Sequence, residues 1–163
     1  MSPAIAKFLL WLFVINLGIA FGAGLYESRI VVPQWLGQIS AGEYRWNAKA
    51  ALQADTGLRF WVYVTTIPLT LLSIANLIAA WRAAGITRKW WLAAAVAALA
   101  DRVFTFSYFI PTMYRLMTDP TLPVAQARAL ALQWTQLNYL RHLLVLLAWL
   151  AALKVLSLAN KSD

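Results

Sequence analysis

Glu27, Asn138, Arg141 and His142 are the side chains in this sequence with the most chemistry to offer. Imidazole titrates near neutral pH, so His142 can serve as a general base, and Glu27 joins it in a candidate substrate or proton site. A guanidinium and a carboxamide are fixed hydrogen-bond donors. Asn138 and His142 are four residues apart, and Arg141 is three from Asn138, so on a helix all three address one small volume. Tyr108, Trp134, Arg115, Tyr63 and Asp101 extend the set as substrate contacts. The competing reading is packing, in which Glu27 and Asp101 pair with Arg141, Arg115 or Arg102 and asparagines bond between helices. Arg141 is expected to prefer Glu27 over Asp101 because the two lie nearer in depth. Asp101 and Arg102 are neighbours pointing about 100° apart on a helix and are not expected to pair. His142 is the only histidine and there is no cysteine. Metal sites usually draw on several such ligands, so neither a metal nor another cofactor is expected, and thiol redox chemistry is excluded.

These residues are carried by four apolar stretches. Of 163 residues, 62% are apolar and 12% charged, whereas soluble domains have about 25% charged residues. A bilayer core of about 30 Å takes roughly 20 helical residues, which predicts spans near 5–27, 60–82, 90–117 and 130–156 in one domain. Steps of three and four residues give each span one polar or small-residue stripe. The stripes are Asn16, Ala20, Ala23, Glu27; Arg59, Tyr63, Thr66, Thr70, Ser73; Asp101, Thr105, Tyr108, Thr112, Arg115; and Trp134, Asn138, Arg141 with His142 beside it. Polar groups in lipid are costly unless they face one another. The fold class is therefore all-α, an antiparallel integral-membrane four-helix bundle with a polar interior and a short extracytoplasmic helix between spans 1 and 2. At 1.5 Å per residue, Asp101 lies roughly 16 Å into its span, and the cluster forms a funnel in the outer half.

A net charge of +8 does not call for nucleic acid here. Lys7, Arg82, Arg88, Lys89, Lys154 and Lys161 gather on one side, which the positive-inside rule makes cytoplasmic, with both termini. The expected location is a bacterial inner membrane, the expected partners are lipid and a hydrophobic small molecule, and homo-oligomers are compatible with this pattern. Trp11, Trp81, Trp90 and Trp91 would mark one interface and Trp61 and Trp134 the other. The apolar run Phe8–Tyr26 exceeds the roughly 7 to 15 residues of a signal-peptide core and is read as a span. Between the first two spans, Ser40, Ala41, Gly42 and Glu43 match a capping box, with Gly57 as the stop of a short amphipathic helix bearing Tyr44, Ala48, Ala51 and Leu52. Pro111 is expected to kink the third span beside Tyr108.

The fourth span, QWTQLNYLRHLLVLLAWLAAL, the third-span end FTFSYFIPTMYRLM and the first-span end GAGLYESRIVVPQW together resemble the anthrone-oxygenase-like family of small four-span membrane proteins. The resemblance runs in span order over most of the chain and is carried by Trp134, Asn138, Arg141 and the Phe109, Ile110, Pro111 element. It implies cofactor-independent oxidation of a hydrophobic aromatic, with His142 or Glu27 as base and Arg141 with Asn138 as oxyanion partners. The alternative is a non-enzymatic membrane protein: a carrier of lipophiles or ions, or an accessory subunit.

Overall fold

The computed structural model describes residues 2–40 and 43–159, apart from the side chains of residues 38–44. In chain order it consists of helix α1 (Pro3–Trp35), strands β1 (Leu36–Ser40) and β2 (Glu43–Trp46), helix α2 (Ala48–Ala54), and helices α3 (Gly57–Arg82), α4 (Gly85–Thr118) and α5 (Val124–Ala159). The four long helices are each apolar and long enough to cross a membrane. Successive long helices pack side by side and α5 closes against α1, giving the antiparallel membrane bundle expected from the stripes. At 33, 34 and 36 residues, α1, α4 and α5 are each about 50 Å long, longer than the bilayer core is thick.

Three of the helices contain a stretch of wide turns that close five residues on instead of four: Glu27–Val31 in α1, Gly57–Thr66 in α3 and Thr105–Phe109 in α4. Each stretch ends just before a proline, namely Pro33, Pro68 and Pro111. Proline has no N–H to give to the carbonyl four residues back, and its ring clashes with that carbonyl. A widened turn lets the helix continue past the clash. Pro68 deprives Val64 of its usual donor, and Asn16 of α1 supplies one from Nδ2 at 2.7 Å.

The wide turns also explain where the stripes depart from expectation. Counted at 3.6 residues per turn, Arg59 and Tyr63 belong to the inner face of α3, yet both are exposed, Tyr63 by 69%. The slower angular advance between residues 57 and 66 turns Trp61 and Thr65 inward instead. Arg115 is likewise exposed and pairs with Asp119 at 3.4 Å. Asn16, Ala20, Thr66, Ser73, Asp101, Thr105, Trp134, Asn138 and His142 are buried as the stripes require.

Two dry clusters bracket this polar interior. The one toward the chain termini joins Leu10, Phe13, Leu17 and Leu69 to alanines at 94, 98, 148 and 152, small residues that let helix backbones approach. Asn76, fully buried, ties three helices together there. It donates to the carbonyls of Leu9 at 3.2 Å and Leu72 at 2.9 Å and accepts from the Trp91 indole at 2.9 Å. The other cluster, beside the hairpin of β1 and β2, gathers Val32, Trp35, Trp46, Phe109, Leu116 and Trp134. The hairpin is fastened to it by the Trp46 indole, which donates to the Leu116 carbonyl at 2.8 Å.

The segment between the first two spans differs from the expected capping-box helix. Ser40 and Glu43 lie on paired strands, in the register Leu36 opposite Trp46 and Ser40 opposite Glu43, while Ala41 and Gly42 lie outside the described residues. The short helix begins at Ala48, where the Asn47 side chain accepts the Ala50 N–H at 3.0 Å. It stops at Asp55, which takes a left-handed conformation at φ 45°, two residues before Gly57. Ala51 packs inward but Leu52 is exposed. Tryptophan placement is corrected too: Trp11, Trp81 and Trp90 are exposed, whereas Trp91 and Trp134 are buried and Trp61 is half-buried. In the turn between α4 and α5, the Thr121 hydroxyl and then its N–H hold the Asp119 carboxyl below its ordinary pKa, with Arg115 contributing less.

Interhelical hydrogen bonds in membranes are each worth about 0.6 to 1.7 kcal/mol, and Asn76 makes two of them. Asn76→Ala is expected to lower stability by about 1 to 3 kcal/mol, read as a lower unfolding midpoint in detergent. An unchanged midpoint would show that the three-helix tie is energetically idle.

Candidate functional site

The polar layer is organised by Asp101, which is fully buried on α4. Arg141 of α5 donates from Nε to its Oδ1 at 3.0 Å. Arg102 curls back along its own helix, donates from Nε to Oδ2 at 3.0 Å, and reaches the same oxygen with a terminal nitrogen. The expected Arg141 partnership with Glu27 is therefore replaced by one with Asp101. The adjacent Asp101 and Arg102 do pair, because an arginine stem is long and flexible enough to fold its fork onto a carboxylate that its Cα–Cβ direction misses. Arg141 also lies over the Phe109 ring at 4.5 Å, where a guanidinium is attracted to the aromatic face.

From Arg141 a hydrogen-bond chain runs across α5 to α1. Arg141 donates from Nη1 to Asn138 Oδ1 at 3.2 Å, Asn138 donates from Nδ2 to Ser28 Oγ at 3.3 Å, and Ser28 Oγ lies 2.9 Å from His142 Nε2. Ser28 is placed by the wide turn of α1. Gly24, one turn earlier, has no side chain for a steric reason: a Cβ there would stand 2.7 Å from His142 Cε1.

Glu27 has a different set of partners. Its Oε1 accepts the Trp61 indole N–H at 2.8 Å and the Thr56 hydroxyl at 2.7 Å, both from the segment entering α3. It attracts Arg141 by charge without forming an ion pair with it. Glu27, Asn138, Arg141 and His142 nevertheless line one cavity of about 20 Å³, together with Ala20, Gly24, Trp61, Arg102 and Val145. One water needs about 10 to 15 Å³ on this measure, so the space takes a water and not an aromatic ring.

Of the residues expected to contact a substrate, Asp101 reaches this layer through Arg141. Tyr108 packs edge-on against Phe109, with ring centroids 5.2 Å apart, and Trp134 donates to the Phe109 carbonyl at 3.2 Å. Both belong to the apolar cluster beside the hairpin and its edge, next to the wide turn that precedes Pro111. Tyr63 and Arg115 face away from the bundle interior. Four participants were not among the expected site residues: Ser28, Thr56, Trp61 and Gly24. The position of Ser28 beside Glu27 and five residues before Pro33 was the available signal. Trp61 and Thr56 carried none, because the wide turn breaks the period by which an inward face is read.

Comparison with protein-family models, with curated proteins and with solved structures gives no match.

Removing one partner of a buried ion pair costs about 3–5 kcal/mol, because the other charge is left uncompensated. Asp101→Ala strands two guanidiniums and is expected to destabilise the protein by at least that much in chemical unfolding. Arg102→Leu leaves Asp101 and Arg141 paired one to one and is expected to cost less. The reverse order would mean that Asp101 is not the anchor of the layer.

Proposed function

We propose that the layer around Glu27 and Arg141 is an acid–base site for the polar end of a lipophilic aromatic molecule, and that the chain is a cofactor-independent oxygenase. The observation that carries this reading is the convergence of Glu27, Asn138, Arg141 and His142 on one cavity. The resemblance to the anthrone-oxygenase-like family supplies the reaction. An activated ring CH2 loses a proton to the base, and Arg141 and Asn138 hold the enolate oxygen. Dioxygen adds at carbon, and loss of water leaves a ketone, so that CH2 and O2 become C=O and H2O. The cavity accepts the reacting oxygen, and the rings require Trp61 to turn away from Glu27. The setting we propose is a bacterial inner membrane with both termini cytoplasmic, supported by Lys7, Arg82, Arg88, Lys89 and Lys154 at one end of the bundle.

The small cavity favours a second reading. A water-sized space among paired charges suits a non-enzymatic membrane protein, a carrier or an accessory subunit, in which the same network fixes helix packing.

Oxygen uptake by the purified protein in liposomes supplied with an anthrone separates the two. If the first reading holds, Glu27→Gln and Arg141→Ala each lower turnover by about 10² to 10⁴, and Glu27→Gln keeps its unfolding midpoint within a few degrees of the parent. Wild-type protein that consumes no oxygen above the liposome background rejects the oxygenase and leaves the second reading.

Orientation has its own test, made clean by the absence of native cysteine. A membrane-impermeant maleimide added to intact cells should label Thr121→Cys, in the α4–α5 turn, and spare Ala84→Cys, in the α3–α4 turn, until the membrane is broken. The opposite pattern inverts the topology.

A further inference from the structure

The direction of the hydrogen-bond chain from Asp101 to His142 is fixed by chemistry. A guanidinium has only donors, so the Asn138 atom facing Arg141 must be the amide oxygen, and the nitrogen must face Ser28. Ser28 Oγ therefore receives a hydrogen from Asn138, and its own hydrogen needs an acceptor. Thr65, Thr70, Ser73 and Thr105 each give theirs to the carbonyl four residues back. Ser28, inside the wide turn of α1, makes no such bond, and its remaining partner is His142 Nε2 at 2.9 Å. Nε2 is then the acceptor, and the ring proton belongs on Nδ1. The Cε1–Nδ1 edge is the one pressed toward Gly24, where an added Cβ would lie 2.7 Å and 3.0 Å from those two atoms. Gly24 and His142 both line the cavity.

We infer that Ser28 is a positioning residue that holds His142 in its Nδ1–H form, making the histidine a hydrogen-bond donor toward the cavity and leaving Glu27 as the base. Imidazole offers one donor and one acceptor when neutral, and whichever nitrogen is engaged as acceptor decides which one presents a proton. With Nε2 occupied by the serine hydroxyl, the ring has no free lone pair to take a substrate proton. Glu27 keeps one carboxylate oxygen outside its bonds to Trp61 and Thr56, both of which go to Oε1. The division of roles rests on the acid–base reading of the cavity, whereas the tautomer itself follows from the bond directions alone.

The single histidine makes the test direct. The full chain, labelled with ring-¹⁵N histidine, purified through a tag free of histidine and held in lipid nanodiscs, gives one imidazole to observe. The expected spectrum at neutral pH has Nδ1 protonated and Nε2 bare. Ser28→Thr keeps that pattern, and Ser28→Ala moves the proton toward Nε2. A wild-type ring protonated at Nε2 or at both nitrogens, or a folded Ser28→Ala spectrum identical to wild type, overturns the assignment. Should Ser28→Ala not fold, the wild-type and Ser28→Thr spectra still decide. Oxygen uptake with an anthrone, measured on the same samples, keeps the two ideas apart. An Nδ1–H ring without uptake refutes the oxygenase and leaves the positioning of His142 standing, while uptake with an Nε2–H ring does the reverse.

Discussion

Two guanidiniums in the interior of a membrane bundle demand a carboxylate, and Asp101 is the one that serves both. A charge at mid-bilayer costs at least about 2.5 kcal/mol by insertion scales, and Arg102 and Arg141 bring two of them into a layer bounded by apolar clusters above and below. Asp101 has no exposure and has both oxygens engaged. That arrangement fixes the rotation of α5 against α4, because Arg141 meets Oδ1 from only one face of its helix. Asn138 and His142 share that face, so their approach to Ser28 follows from the same rotation. The contact of α1 with α5 and the placement of the cavity wall are downstream of one carboxylate.

The second constraint is backbone geometry. Pro33, Pro68 and Pro111 follow the wide turns in α1, α3 and α4, and α5 has no wide turn. The side chains thereby redirected are those of the site: Ser28 toward His142, Trp61 toward Glu27, and Phe109 beneath the Arg141 guanidinium. A regular helix through any of these stretches would carry the next residues onto another face. The carbonyl that Pro68 leaves without its usual partner is met by Asn16, so a local defect in α3 becomes a tie to α1. Proline here both disturbs a helix and specifies which neighbour repairs it.

This separation explains what could be read from the sequence. Four spans, their antiparallel order and the inward faces of α4 and α5 follow from hydropathy and the 3.6-residue period, and Asp101, Asn138 and His142 sit where that period puts them. Arg59 and Tyr63 do not, because the period lapses over residues 57–66, and the same lapse hid Trp61. Depth alone favoured Glu27 as the partner of Arg141, but depth says nothing of how far a side chain can reach sideways; Asp101 is on the helix that packs most extensively against α5. The Ser40 to Glu43 match satisfied a capping pattern that those residues also satisfy as strand ends, and only the pairing of Leu36 with Trp46 distinguishes the two.

The chemical character of the layer is set by an imbalance between donors and acceptors. Arg102 and Arg141 each use two of five N–H groups in the bonds described. Asp101 has both oxygens occupied, Ser28 is committed to the chain, Asn138 keeps one of its two N–H groups outside it, and Glu27 gives one oxygen to Trp61 and Thr56. The N–H groups left over thus outnumber the one Glu27 oxygen left over around a space the size of a water molecule. Filling that space with an acceptor relieves the deficit, whether it is the oxygen of a water or the oxygen of a larger molecule whose apolar body stays outside the layer. The dry clusters on either side strengthen the preference, since they keep bulk solvent from supplying the acceptors freely.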